Sequence, residues 1–281
     1  MACTVEVIEH SVSPEPYAPP VVTVACRYWR AIHAELMTHR VFSRNASSSR
    51  AIPVKTMLKQ VWNEPAGPIH WGANQAGMQA NKQLTGFKLA MAKTLWKLAG
   101  RVACVLAWGM MKVGLHKQVA NRILEPWQYI TVLITSTEWS NFMELRNHPD
   151  AQPEIRELAQ AIEKAVRAST PQRLRPGQWH LPFVRAKERK LFLPTTLVKV
   201  STARNARVSY LTHAKEDPSV TQDCQLHDKL VMSRPMHASP SEHPCKPDRW
   251  IDGQGWENPH LHGNLKGYIQ YRKILEIGGR V

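Results

Sequence analysis

Little in this sequence invites a membrane or an oxidising compartment. No apolar run reaches the ~18 residues that a membrane span requires. The nearest, Val102 to Met111, stops at Lys112. The opening MACTVEVIEH has neither a basic stretch nor an apolar core, so a secretory leader is not expected. Cysteine is scarce and scattered: Cys3, Cys26, Cys104, Cys224 and Cys245, an odd five with no CxxC among them. That argues against a disulfide framework and for a reduced, cytoplasmic protein. Internal repeats and low-complexity tails are missing too.

Acidic side chains are in deficit. Asp and Glu total 22 against 37 Lys and Arg, a formal net charge of +15. Such an excess favours an anionic partner: nucleic acid, a nucleotide or a phosphate-bearing cofactor. With 281 residues, 43% of them apolar, the chain can bury a substantial core. We read residues 1–281 as a single domain, with a helical portion at 77–114 and a distinct C-terminal portion at 195–281.

Periodicity sets out the elements. The β-branched run Val21 to Cys26 predicts a strand. Ile32 and Leu36 lie four apart, which predicts a short helix from Arg27. Ser and Asn then favour a loop through Arg50, because their side chains compete for backbone hydrogen bonds. Helical patterning returns over Val54 to Trp62. It resumes over Gly77 to Met111, with a break near Gly100, and over Lys117 to Leu124. Tyr129 to Ile134 reads as a strand and Thr137 to Arg146 as a helix. Asp150 suits an N-cap for the helix carrying Ile155, Leu158, Ala159 and Ile162. Residues 172–194 read as irregular, Leu197 to Ser201 as a strand, and a helix begins near Ala203. Gly turns mix with aromatic and basic residues over Gly263 to Leu275. The class is α/β (α+β): a central mixed or antiparallel sheet packed by long helices.

The densest chemistry lies in THRVFSRNASSSR, Thr38 to Arg50. Arg40 and Arg50 are planar forks suited to phosphate or carboxylate. Ser43, Ser47, Ser48 and Ser49 add hydroxyls, and successive backbone N–H groups can form an anion-binding concavity. Asn45 offers both a donor and an acceptor to a ring edge. Together they suit a nucleotide-like ligand; a solvated Asn/Ser turn is the plain alternative. A second group, MHASPSEHPC, places His237, His243 and Cys245 close together. Zinc is one reading, but no second Cys/His pair stands at finger spacing; a capped structural turn is another.

The first stretch resembles RHRxxSxNxxSxR, the signature of the flavin-dependent thymidylate synthases. His39, Arg40, Ser43, Asn45, Ser48 and Arg50 fall in register. Thr38 replaces the first Arg, Ala46 the frequent acidic residue and Ala51 the frequent Tyr. Ser136 to Ala159 is similar to the family's second conserved region through Asn141, Leu145, Arg146, Ala151, Gln152, Glu154 and Ile155. Thr135 and Thr137 stand where Asn and Arg are usual. Arg122, in ANRILEP, resembles an Arg that helps hold substrate. TARNARVSYL (Thr202 to Leu211) and MHASPSEH (Met236 to His243) resemble a family segment that usually precedes the first signature. Here they follow it, an apparent permutation to the C-terminus, and they are expected to dock beside the first motif.

The resemblance implies the fold of that family and C5 methylation of dUMP to dTMP with methylenetetrahydrofolate and NADPH. It implies Arg146 as catalytic. It places Ala46, Ser47, Ser48, Ser49, Arg50, Arg122 and Arg146 on dUMP. It places His39, Arg40, Ser43, Asn45, Asn141, His237 and Ser239 on FAD. No Cys lies inside the matched motifs, which fits activation of the pyrimidine without a thiolate. A homotetramer with interfacial sites, and no metal, are also implied. Similar departures from the signature occur in variants carried by bacteriophages, which would place the chain in the host cytoplasm. Two alternatives stay open: methylation of UMP or hydroxymethylation of dUMP, and a basic nucleic-acid-binding protein. For the latter no recognised module is present, and Lys and Arg are spread along the chain.

Overall fold

In the computed structural model, the β-branched runs pair as their composition predicts. The structure describes residues 3–77, 79–212, 217–231, 233 and 235–278. A five-stranded sheet combines β1 (Thr4–Val12), β2 (Val21–Trp29), β3 (Ser43–Ala46), β4 (Tyr129–Ser136) and β5 (Gln172–Arg173), in the order β3-β4-β2-β1-β5. Neighbours are antiparallel except β1 and β5, so the sheet is mixed. In register, Thr23 faces Thr135 across β2/β4, and Ser43 faces Thr135 across β3/β4. The short α1 (His33–Met37) follows β2; α2 (Val54–Asn63) and α3 (Gly86–Lys112) follow β3, and α4 (Lys117–Ala120) leads to a 3₁₀ segment, Arg122–Trp127. After β4 come α5 (Ser140–Arg146) and α6 (Pro153–Ala168). After β5 come α7 (Ala186–Leu191) and α8 (Pro194–Arg207), then α9 (Val220–Val231), the short strands β6 (Cys245–Pro247), β7 (Trp250–Ile251), β8 (Gly255–Trp256) and β9 (Tyr268–Gln270), and α10 (Tyr271–Glu276). The class is therefore α/β with a mixed sheet flanked by helices, as expected.

The two sheet faces differ in chemistry. Val22, Val24, Cys26 and Tyr28 of β2, with Ile130, Val132 and Ile134 of β4, bury against Ile155, Leu158, Ala159 and Ile162 of α6. The period-2 side chains of the strands meet the i, i+3, i+4, i+7 stripe of the helix. The opposite face is polar where the C-terminal portion covers it. His180 bridges Ser11 (2.9 Å) and Thr23 (2.7 Å), Thr23 meets Thr135 (2.6 Å), and Thr135 meets His243 (2.8 Å). All five are buried. These hydrogen bonds and a buried apolar cluster of Val21 with Cys245, Leu265 and Tyr268 together seat the C-terminal portion there.

Several sequence expectations are corrected. Ser43–Ala46 is a strand, not a loop: Ser43 and Asn45 spend their polar atoms on the C-terminal portion and leave the backbone free to pair with β4. β1 adds a strand of nine residues that the sequence expectations lack. The helix over 77–111 begins only at Gly86 and is continuous through Gly100, whose missing side chain admits Trp127. Residues 117–124 are split, because Pro126 sits in the 3₁₀ segment that follows α4. α5 starts at Ser140, not Thr137, whose buried hydroxyl instead accepts from the Lys266 N–H. The cap of α6 is Gln152, with Pro153 in the first turn, not Asp150. Leu197–Ser201 lies inside α8, where burial of Leu197, Val198, Val200 and Ser201 overrides the β-branched preference. Within 172–194, β5 and α7 are regular.

Candidate active site

Arg146 ends α5, and Glu35, Thr38 and His39 lie at i, i+3 and i+4 around α1, on one side of a helical turn. That turn makes a cup for the guanidinium. Arg146 Nε donates to His39 Nε2 (2.9 Å), Nη1 to Glu35 Oε1 (2.8 Å) and Nη2 to Thr38 Oγ1 (3.3 Å). His39 is buried, stacked on Phe42 and edge-on to Phe142. Burial, then the Arg146 and Arg44 cations, hold its pKa below the ordinary value. The ring is neutral, and because Nε2 accepts, its proton sits on Nδ1. Thr38, where the family signature has Arg, thus becomes part of the seat of Arg146.

The serine loop lies elsewhere. Ser47 N–H donates to the Thr131 carbonyl (2.8 Å) and Ser48 N–H to the Ser209 carbonyl (3.0 Å). Asn121, fully buried, donates to the carbonyls of Ser49 (2.7 Å) and Ile52 (2.9 Å) and fixes the loop from beneath. Ser49 Oγ (2.9 Å), Arg122 (2.8 Å) and Arg30 (3.1 Å) converge on Glu125 Oε1. Arg50 is exposed beside them, and Ser48 Oγ accepts from its N–H (3.3 Å). Ala46, half-buried, packs against the main core. So the structure brings Ser48, Ser49, Arg50 and Arg122 together at the N-terminal end of β4, while Arg146 and His39 lie beyond its C-terminal end. An eight-residue strand separates them by roughly 20 Å.

The residues expected at a flavin divide in two. Ser43 donates to Asn264 Oδ1 (3.1 Å) and accepts from Gln270 Nε2 (3.2 Å). Asn45 Nδ2 donates to the Asn205 carbonyl (2.5 Å), and its Oδ1 accepts from Ser209 (3.4 Å) and Ser239 (3.3 Å). These two are engaged within the chain. Arg40, Asn141, His237 and Ser239 are exposed. Arg40, Asn141 and His237 thus keep polar groups open to solvent, while the side chains of Ser43 and Asn45 tie β3 to the C-terminal portion.

The C-terminal motif does dock beside the first one. Besides the Asn45 contacts, Asn205 Nδ2 donates to the Pro240 carbonyl (3.1 Å), tying TARNARVSYL to MHASPSEH. Sequence reading missed Glu35, Asn121 and Glu125. Glu35 is visible in the i, i+3, i+4 spacing of ELMTH, and Glu125 in its i, i+3 pairing with Arg122; Asn121 carries no local signal, since the carbonyls it holds lie 72 and 69 residues away. Among the described residues no cluster of three or more His, Cys, Asp or Glu could hold a metal, and no helix is long and apolar enough to cross a membrane.

A family model described as thymidylate synthase complementing protein (Thy1) matches residues 7–172, ending before the C-terminal motif. Among solved structures, the UMP/dUMP methylase PolB from Streptomyces cacaoi bound with 5-Br dUMP is similar at 18% identity, over 58% of this chain and 89% of that one, with a TM-score of 0.48. The same methylase with 5-Br UMP gives 19%, 58%, 88% and 0.46. Thymidylate Synthase X (ThyX) from Helicobacter pylori with FAD and dUMP gives 15%, 52%, 67% and 0.38. Among curated proteins nothing matches.

Proposed function

The chain belongs to the thymidylate synthase complementing protein family, and from that premise we propose that it methylates C5 of dUMP to give dTMP. The observation that carries this reading is the cup around Arg146. A seated guanidinium with two N–H groups to spare suits the N3 and carbonyl edge of a uracil ring. Negative charge builds on that edge as C5 attacks the one-carbon unit, and a fixed cation lowers the barrier. Ser48, Ser49, Arg50 and Arg122 hold the substrate phosphate, the Arg forks supplying charge-assisted bonds.

Methylenetetrahydrofolate is the one-carbon donor. FAD, once bound at Arg40, Asn141 and His237, supplies the reducing equivalents, with NADPH as their source. Ser43 and Asn45 act there by fixing β3 against the C-terminal portion.

Arg50 and Arg146 lie toward opposite ends of β4, so one copy does not bring both to one mononucleotide. We therefore assign the working site to the interface of a homotetramer. The outer side of α3 supports assembly. Phe87, Leu95, Leu98, Val102, Val105 and Leu106 are all more than half exposed there, more contiguous apolar surface than a lone soluble chain ordinarily leaves uncovered.

The test is direct. Purified protein with FAD, NADPH and methylenetetrahydrofolate is offered dUMP, UMP and dCMP, and each product is weighed. A methyl group gained on dUMP is expected. A methyl gained on UMP, or a hydroxymethyl on dUMP, would replace dUMP methylation by that reaction. No modified nucleotide, together with salt-dependent retention of oligonucleotides, would sink the reading in favour of nucleic-acid binding.

A further inference from the structure

Arg146 is held in place by its own chain, and the holders are unequal. Three of its five N–H donors are committed, leaving one on each terminal nitrogen. The His39 ring is neutral and meets Arg146 only as an acceptor, through Nε2. The Thr38 hydroxyl makes the longest of the three contacts, and it also donates to the Glu35 carbonyl (2.7 Å). Glu35 is the one carboxylate paired with Arg146 among the described residues, at 2.8 Å, with side-chain exposures of 35% and 17%. It commits a single oxygen, since Oε2 is buried without a hydrogen-bond partner.

We propose that Glu35 is a positioning residue: its carboxylate fixes the rotamer of Arg146, and so aims the two remaining N–H groups at the pyrimidine. The inference rests on the functional reading above. The pair is partly buried, so its loss costs some stability, whereas misplacing a catalytic group by about 1 Å can cost about 10²-fold in rate, a larger effect that stability does not explain. The geometry is economical, because one helical turn supplies all three holders. The carboxylate is the member that resists rotation most, since it alone pairs charge with charge. His39 and Thr38 then set the plane of the guanidinium through Nε and Nη2.

The experiment uses the full chain with Glu35→Ala, Glu35→Gln and Glu35→Asp. Four quantities are read: kcat and KM for dUMP, thermal stability, and hydrogen exchange at the Arg146 Nε–H, assigned by NMR against Arg146→Lys. For Glu35→Ala the expected result is a fall in kcat of about 10²-fold, with KM nearly unchanged, a protein that stays folded with a modestly lower melting temperature, and faster Nε–H exchange. Glu35→Asp should recover part of the rate. Glu35→Gln, which keeps the shape without the charge, should fall between the two. Unchanged kcat in Glu35→Ala, or an activity loss that follows melting temperature with no recovery in Glu35→Asp, would overturn the proposal. If the parent protein modifies no pyrimidine nucleotide, the functional reading fails by itself. The Nε–H exchange still decides on Glu35: faster in Glu35→Ala supports its holding role, and equal exchange ends it.

Discussion

Asn45 Nδ2 donates to the backbone carbonyl of Asn205, 160 residues further along the chain, and both residues are buried. The donor belongs to β3 in the first signature; the acceptor belongs to the motif displaced to the C-terminus. The contact is thus a clasp between the two segments that the family resemblance links. Asn45→Asp keeps the acceptor for Ser209 and Ser239 but removes the donor. It leaves the Asn205 carbonyl with only the Val208 N–H and sets a buried carboxylate against it, a loss of about 1–3 kcal/mol. Denaturant unfolding should show that loss. Limited proteolysis should cut the C-terminal portion faster than in the parent, and equal rates would show that the clasp contributes nothing.

Acid should loosen the same seam. Burial drives the His243 pKa from 6.5 down to about 3 and holds His180 well below its ordinary value, the Arg189 cation adding to the effect on His180. Both are neutral in the folded state. A depressed histidine pKa means that the unfolded chain takes up protons first. Stability is therefore full above about pH 6.5, falls as pH drops below it, and continues to fall toward pH 3. Glu9, beside Leu181 and Arg189, opposes this: burial outweighs Arg189 and raises its carboxyl to about 7, so it gains stability as it protonates. Two histidines against one carboxyl leave a net loss in acid. Denaturant midpoints from pH 7.5 to 4.5 should fall, while the ring protons of His180 and His243 show no titration. A flat profile would contradict the buried-neutral assignment.

Contiguity decided what could be read from sequence. His39 to Arg50 lie within one stretch, so the family resemblance could single them out as candidates, and the strands β2 and β4 followed from their β-branched runs. The cup did not, because Arg146 meets His39 across 107 residues. Four departures from the signature gained meaning only in three dimensions. Thr38 seats Arg146, Thr135 joins Thr23 to His243, Thr137 receives the Lys266 N–H, and Ala46 packs in the core. The run Leu197 to Ser201 misled for the reason that short apolar runs often do: period alone does not separate a buried helix from a strand. Gly100 misled because glycine breaks helices by propensity, while here it serves a contact.

That contact makes its own prediction. A Cβ at Gly100 would lie 3.0 Å from Trp127 Cδ1, and the indole is itself pinned by donation to the Trp96 carbonyl (3.0 Å). Gly100→Leu has no room and should destabilise by about 1–3 kcal/mol through overpacking. Trp127 precedes β4 by two residues, so the strain should also reach Glu125 and the serine loop. Melting temperature, and KM for dUMP as the phosphate site shifts, are the readouts. An unaltered melting temperature would show that α3 yields freely there.

The separation of Arg50 from Arg146 within one chain leads to the sharpest test of the assembly. Arg50→Ala should weaken phosphate binding, and Arg146→Ala should remove charge stabilisation, about 10²–10³-fold in kcat. Each variant alone is nearly inactive. If every site takes Arg50 from one copy and Arg146 from another, mixing the variants rebuilds intact sites. With equal amounts and free exchange of subunits, about a quarter of the sites draw both native residues, by the symmetry of the interface. Activity should then rise toward a quarter of the parent value after mixed unfolding and refolding. Were both arginines to serve a site within the same copy, no mixture could rebuild one, and activity would stay at the level of the single variants.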